Sequence, residues 1–145
     1  MTLKKLCLFV FALVLSFAVA TTPAFAYSGT MKTNVCNQTD GAISGVNINH
    51  DWEQYVDKFP LTSMKIGECG IFNIEVGSGG HDYWSLRFND QSGKCLYRQQ
   101  KQCDIYSKDL ESGKAVNLNL LPENQGFSIE MPASSSCTDN HYDDC

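Results

Sequence analysis

This chain of 145 residues has no excess of basic residues: it contains 11 lysines and arginines against 16 aspartates and glutamates. The formal net charge at pH 7 is −5. Binding to nucleic acid by charge needs a basic face that neutralises phosphates. The composition therefore argues against such a role, and we predict no nucleic-acid partner.

Catalytic and metal-binding signatures are also missing. The sequence has no Gly-x-Ser-x-Gly elbow and no Cys-x-x-Cys pair. We therefore predict no cofactor, no metal ion and no catalytic residue. Asp139, Asp143 and Asp144 gather oxygen ligands in one short segment, which makes it a weak candidate loop for calcium, but the glycine and closing glutamate of an EF-hand are absent.

The three histidines outside the N-terminal segment are the remaining candidates for acid–base chemistry, because histidine is the most frequent general base. His50 and His81 are each followed by an aspartate, but neighbours on a strand point to opposite faces and do not form a dyad. Exposed turn histidines are the simpler interpretation. A small secreted hydrolase that uses His50 and His81 with Arg87 or Arg98 is kept as an alternative function.

An apolar run long enough to cross a bilayer, about 20 residues, is absent as well. The longest run, residues 6–20, follows Lys4 and Lys5 and precedes an Ala-x-Ala site at residues 24–26. These are the parts of a secretory signal. We predict a cleaved signal peptide over residues 1–26 and a secreted or periplasmic protein that does not span the membrane. Loss of the two lysines changes the net charge from −5 to −7.

Cleavage would remove one of the seven cysteines and leave six. An even number of cysteines in a small exported domain predicts disulfides, and six cysteines allow 15 pairings. Two pairs of cysteines enclose only seven residues each, and short loops close at low entropic cost. We expect two local disulfides and a third by elimination: Cys95–Cys103, Cys137–Cys145 and Cys36–Cys69.

Alternation of apolar and polar residues is the dominant pattern, and it is typical of strands with one buried face. It is clear in five segments, at residues 46–49, 72–76, 83–88, 116–120 and 127–131. Weaker strands are predicted at residues 31–38, 61–66 and 94–100. A helical turn is possible only at Asp51–Lys58 and Ser107–Ser112.

Short strands joined by tight turns predict an all-β fold, an antiparallel β-sandwich of roughly seven to nine strands stapled by disulfides. A small β-barrel is the rival architecture. We assign residues 27–133 to this domain. Residues 134–145 are predicted to be a polar C-terminal tail that the Cys137–Cys145 disulfide curls into a loop.

Aromatic and arginine side chains outside the predicted core give the main indication of function. Exposed Tyr, Trp and Arg anchor interfaces, and aromatic faces stack on sugars or lie at lipid headgroups. Two of the aromatics, Trp52 and Tyr55, could instead cap one end of the sandwich. We predict a secreted, non-enzymatic binding module for a protein, glycan or lipid, with these candidate ligand-binding residues: Trp52, Tyr55, Tyr83, Arg87, Tyr97 and Arg98.

Three short motifs occur in order over about half of the chain. They are Val-x-Asn-x-Thr at residues 35–39, Val-x-Ile-x-x-x-Trp at residues 46–52, and Cys-Gly at residues 69–70 before a glycine-rich turn. This order resembles the aegerolysin-like secreted β-sandwiches that bind membrane lipids, although the six cysteines depart from their pattern. The resemblance implies lipid binding at the aromatic end, and hence an alternative function as a membrane-lipid-binding cytolysin or toxin component.

Overall fold

The computed structural model describes residues 28–52, 55–77 and 80–145. The predicted signal peptide over residues 1–26 lies outside the described residues and stays a prediction. In the part of the chain that is described, no helix has the length and apolar character needed to cross a membrane.

Strands account for 61% of the structure and helix for 4%. In chain order the elements are β1 (Ser28–Asn37), β2 (Ile43–Trp52), β3 (Tyr55–Met64), β4 (Cys69–Gly77), β5 (Asp82–Asn89), β6 (Cys95–Gln102), α1 (Ser107–Glu111), β7 (Val116–Leu120), β8 (Phe127–Glu130), β9 (Cys137–Asp139) and β10 (Asp143–Asp144). The short helix α1 confirms the predicted helical turn at residues 107–112.

The strands form two five-stranded sheets. Sheet A has the order β4-β1-β7-β8-β9 and sheet B the order β10-β6-β5-β2-β3. The predicted β-sandwich is confirmed, because among the described strands the two sheets do not close into a barrel. One strand pair departs from the antiparallel prediction: β1 and β7 run parallel, which is possible because several strands separate them along the chain.

The predicted alternation places the core correctly. On β5, Trp84, Leu86 and Phe88 are buried, whereas Arg87 between them is exposed. On β7, Val116 and Leu118 are fully buried. Apolar residues from the inner faces of both sheets join in one buried cluster, so burial of apolar surface between the sheets holds the fold together.

The helical turn predicted at Asp51–Lys58 is wrong. Its described residues, 51–52 and 55–58, are the end of β2 and the start of β3, and the two strands pair from Trp52↔Tyr55 onward. The alternation of β2 continues through its last residues, since His50 and Trp52 are buried on the same side as Ile48. β3 is an edge strand with mostly exposed residues, and the polar Asp57 shares its inward side with Phe59 and Leu61.

One of the three expected disulfides is confirmed and two are wrong. Cys36 is bonded to Cys69, its register partner across β1 and β4. The other two bonds are Cys95–Cys145 and Cys103–Cys137. The local pairing of Cys95 with Cys103 fails because they lie at opposite ends of β6, about 26 Å apart for an extended strand. A disulfide needs Cα atoms within roughly 7 Å.

The predicted polar tail is part of the sandwich. The segment 134–145 adds β9 to sheet A and β10 to sheet B, so Cys137 and Cys145 are carried to different sheets. Between these strands, Tyr142 is buried against Phe88 and Phe127, with ring centroids 5.1 and 6.1 Å apart. Its hydroxyl donates to the carbonyl of Gly126, and burial raises the pKa of Tyr142. Three disulfides in one small domain are typical of an oxidising compartment outside the cytosol.

Asp109 in α1 fixes the segment that follows β8. Its buried carboxylate accepts the backbone N–H groups of Ala133 and Ser134 through Oδ1, at 2.9 and 2.8 Å, and that of Tyr106 through Oδ2 at 3.0 Å. Burial raises the pKa of Asp109, but the hydrogen bonds from Ser134, Tyr106 and Ala133 together lower it below its ordinary value of 3.8. The ionised carboxylate is therefore the form that stabilises the fold.

Peptide mapping of the unreduced protein checks the disulfide pattern. After free thiols are alkylated at acidic pH, which suppresses exchange, mass spectrometry should find peptides that join Cys36 to Cys69, Cys95 to Cys145, and Cys103 to Cys137. A peptide that joins Cys95 to Cys103 would contradict the extended conformation of β6.

We predict that Asp109→Asn lowers the free energy of unfolding by about 1–3 kcal/mol at neutral pH, because a buried N–H group loses its carboxylate partner. A folded-state pKa below the unfolded value means that the stabilisation is fully present above about pH 4 and is lost as the pH falls through the folded pKa. Urea titrations should therefore show the difference from wild type shrinking below about pH 4.

Glu111→Gln is the matched control, since Glu111 is an exposed residue of the same helix. A difference between wild type and Asp109→Asn that is as large at pH 3 as at pH 7 would refute the role of the ionised carboxylate.

Candidate functional site

A groove of about 500 Å³ lies on the outer face of sheet B, across β2, β5 and β6. We call it the sheet-B groove. Three rows of cross-strand neighbours cross this face, and we call each row a rung. From one end of the face to the other, the rungs are Asn47–Arg87–Tyr97, Asn49–Ser85–Gln100 and Asp51–Tyr83–Gln102.

The first two rungs and Asp51 line the cavity, and the rest of the third rung continues the face beyond it. Tyr83 and Tyr97 stand at diagonal corners, on different strands and two rungs apart, which is about 14 Å along the strands. The side chains between them are amides, a hydroxyl, a carboxylate and a guanidinium. The face thus combines two aromatic rings with a floor of hydrogen-bonding groups.

A bulge in β6 shapes the middle of the groove. Gln99 and Gln100 together oppose the single residue Ser85, where the register between β5 and β6 shifts. Gln100 has a φ of 53°, a left-handed conformation that costs energy for a residue with a side chain. Its backbone N–H donates to Ser85 Oγ at 3.1 Å. Bulges bend a strand and redirect its side chains, and here the redirected side chains line the groove.

Two buried oxygens on the groove floor lack hydrogen-bond partners, and a guanidinium lies at the other end of the floor. Among the described residues, Asn49 Oδ1 and Asp51 Oδ1 have no hydrogen-bond partner. Arg87 is exposed at the other end of the floor, and its Nε lies 3.2 Å from the Cys95 sulfur, a weak acceptor. The groove therefore offers acceptors at one end and a guanidinium donor at the other.

Arg98, one of the predicted ligand-binding residues, is part of the groove lining and also forms ion pairs within the fold. It shares its side of β6 with the buried Leu96. It donates to Asp139 at 2.9 Å and to Asp143 at 3.2 Å. Burial lowers the pKa of Arg98, but the charge of Asp139 and the bonds to both carboxylates raise it overall. The side chain braces β6 against β9 and β10.

The same ion pairs occupy the acidic loop that was a weak metal candidate. Asp139 also lies 3.6 Å from the Lys101 ammonium, and Asp144 lies 2.9 Å from that of Lys94. Within residues 28–52, 55–77 and 80–145, no group of three or more His, Cys, Asp or Glu side chains is arranged to hold a metal ion. The carboxylates of this loop are neutralised by cations of the protein.

Trp52 is not part of an exposed aromatic surface, which corrects its assignment as a ligand-binding residue. It is 5% exposed, because it ends β2 on the buried side. Tyr55 stacks on it, with ring centroids 5.5 Å apart and planes 7° apart, and remains 43% exposed itself. The two rings cap one end of the sandwich.

The two histidines of the hydrolase alternative lie in different environments. His50 is fully buried, and its Nε2 and Nδ1 lie 2.9 Å from Asp82 and 3.4 Å from Asp57. A substrate cannot reach it. His81 is exposed, and its Nδ1 lies 2.9 Å from the Gln102 amide and 3.3 Å from Asp104. The described contacts of these two histidines include no serine or threonine hydroxyl that could act as a nucleophile.

The sequence analysis found three residues of the outer face, Tyr83, Arg87 and Tyr97, and missed the amides between them. The missed residues include Asn47, Asn49 and Gln100. A signal for two of them was present, since Asn47, Asn49 and Asp51 occupy the outward positions of β2. No sequence pattern marks the bulge that brings Gln100 into the groove.

Glycine substitution tests the strained backbone of the bulge. Glycine adopts a positive φ freely, so Gln100→Gly should be at least as stable as Gln100→Ala. Gln99→Gly is the matched control: Gln99 has no positive φ, and glycine there should be about 0.5–1 kcal/mol less stable than alanine. Urea unfolding of the four variants gives both differences. Equal losses for glycine at both positions would refute the strain at Gln100.

No protein-family model matches this chain, and no curated protein matches it. Among solved structures, the chain is similar to a protein from Eubacterium rectale determined by NMR, with 18% sequence identity and a TM-score of 0.45. The similarity covers 73% of this chain and 91% of that one. The site is therefore interpreted from its own residues.

Proposed function

We propose that this protein is a secreted, non-enzymatic binding module that holds a neutral glycan in the sheet-B groove. The observation that carries the proposal is the composition of the groove floor. Tyr97 lines the groove, Tyr83 lies just beyond it on the same face, and Asn47, Asn49 and Ser85 lie between the two tyrosines on the face that the core does not use. Export is supported by the predicted signal peptide and by the three disulfides.

Sugar hydroxyls both donate and accept hydrogen bonds, and the floor offers both functions in close proximity. Asparagine and glutamine side chains each carry an acceptor and two donors. Asn47 and Gln100 are exposed and line the groove, so their amide groups are open to a ligand hydroxyl.

The aromatic rings supply the apolar part of the recognition. Tyr83 and Tyr97 are half-buried on the outer face of sheet B, so each ring can pack flat against the C–H face of a sugar. A ligand that fits only a polar floor would lose this contribution. The combination of flat rings and amides favours a glycan over a purely polar small molecule.

Other ligand classes fit the groove less well. A lipid tail needs an apolar channel, and the floor side chains are polar. A polyanion needs an excess of positive charge, but Arg87 is balanced by Asp51 on the same floor, and the predicted mature protein is acidic. A small drug-like molecule prefers a mostly apolar pocket. A neutral polyhydroxylated chain is the remaining match.

The membrane-lipid alternative keeps one supporting observation. Tyr55 and Val56 are 43% and 55% exposed at the start of β3, beside the buried Trp52. This is the aromatic end to which the aegerolysin-like resemblance would assign lipid binding. It has only two exposed apolar side chains among the described residues of that end, so we rank lipid binding second.

Binding to immobilised neutral glucans, mannans and galactans, followed by calorimetry on the best binder, tests the proposal. Tyr97→Ala should weaken binding about tenfold or more, because it removes an aromatic anchor. Asn49→Ala should weaken it about two- to tenfold through one lost hydrogen bond. Tyr55→Ala is the matched control, since it removes an exposed tyrosine outside the groove.

Liposome co-sedimentation with phosphatidylcholine and sphingomyelin vesicles is the second arm of the experiment. Binding to vesicles that Tyr55→Ala abolishes, with no binding to any glycan, would overturn the glycan proposal in favour of the lipid alternative. Glycan binding that survives Tyr97→Ala and Asn49→Ala unchanged would remove the ligand from the sheet-B groove.

A further inference from the structure

A second cavity, of about 560 Å³, lies beside helix α1. We call it the α1 cavity. Its lining includes side chains from the end of β6, from α1 and from the segment that follows β8, among them Gln102, Asp104, Tyr106, Lys108, Ser134 and Ser135. The side chains that line this cavity resemble those of the sheet-B groove: one aromatic ring lies among an amide, hydroxyl groups, one carboxylate and one ammonium group.

Strand β6 and the residues after it connect the two cavities. Gln100 lines the sheet-B groove, and Gln102, two residues further on, lines the α1 cavity. Gln102 also belongs to the third rung, opposite Tyr83. Asp104 and Tyr106, which follow the end of β6, also line the α1 cavity. Residues of one chain segment, from Tyr97 to Tyr106, thus line both cavities.

The α1 cavity has the marks of a binding surface. Tyr106 is 53% exposed, so about half of this large ring is open to a ligand. The Lys108 ammonium lies 5.9 Å from the centre of this ring. Ser135 and Ser136 are exposed and line the cavity beside it. An exposed ring beside exposed serines is what a sugar contact needs.

The backbone of the α1 cavity is held in place before any ligand binds. The Cys103–Cys137 disulfide joins its two walls. Asp109 fixes Ala133 and Ser134 through two hydrogen bonds of 2.9 and 2.8 Å. A surface that is ordered in advance binds more tightly, because less conformational entropy is lost on association.

We propose that the α1 cavity is a second subsite of the same binding site, and that the ligand is an extended glycan chain that follows β6 from the sheet-B groove to the α1 cavity. This inference rests on the proposed function. Tyr97 and Gln102 alone are about 15 Å apart along the strand. A short saccharide fills only the groove, whereas a longer chain occupies both subsites and gains from their linkage.

A length series of the neutral oligosaccharide that binds in the first experiment tests the inference by calorimetry. For the wild-type protein, the Kd should fall at least tenfold once the chain is long enough to reach Tyr106. Tyr106→Ala should remove this gain and leave the Kd of the shortest binding oligosaccharide unchanged. Tyr97→Ala should weaken binding at every length.

Ser135→Trp gives a second variant in case Tyr106→Ala does not fold. Ser135 is exposed and lines the α1 cavity, so a large ring there should block the subsite and also remove the gain with length. Tyr55→Ala again serves as the control and should behave as wild type.

The two proposals fail in different ways. A Kd that does not change with chain length, or a gain that Tyr106→Ala and Ser135→Trp both leave intact, overturns the second subsite while the groove remains. Absence of binding to any oligosaccharide at any length overturns the proposed function itself.

Discussion

The contacts of the fully buried His50 with two aspartates are the interaction on which the geometry of both sheets depends. Its ring lies between the carboxylates of Asp82 and Asp57, at 2.9 and 3.4 Å. Asp82 also accepts the backbone N–H of Ile105 at 2.7 Å, and Asp57 accepts that of Glu75 on β4 at 2.9 Å. One imidazole therefore ties β2, β3 and β5 of sheet B to sheet A. Removing one partner of such a buried set leaves a charge uncompensated and is strongly destabilising.

This buried network also sets the position of the candidate site. Asn49 and Asp51 are the sequence neighbours of His50, and on a strand they point to the opposite face. Because the backbone at His50 is held in place, the positions from which Asn49 and Asp51 project onto the outer face are held in place as well. Asp57 contributes in a second way, because its carboxylate occupies one backbone N–H group on β4, the edge strand of sheet A.

The sequence predicted what depends on local alternation and failed where distant segments meet. The core positions of β5 and β7 follow from the period of two, which is a property of each strand alone. The disulfides of Cys95 and Cys103 cannot be predicted in this way. Cysteines that are close in sequence are close in space only within a compact loop, whereas β6 is extended. Arg98 was assignable in principle, since it shares its side of β6 with the buried Leu96. The bulge at Gln100 depends on Ser85 of another strand, which no pattern within β6 reveals.

Two disulfides and several ion pairs involve β6 or the residue after it. They hold in place the strand that lines both cavities. Cys95 anchors the beginning of β6 and Cys103 the residue after its end. Between them, Arg98 and Lys101 bind Asp139 across the sandwich. The inward side of the strand is thus fully engaged by the fold, and its backbone is fixed at both ends. On its outward side, Tyr97, Gln99 and Gln100 line the groove, so a chain that binds along β6 meets a backbone that is already ordered before it binds.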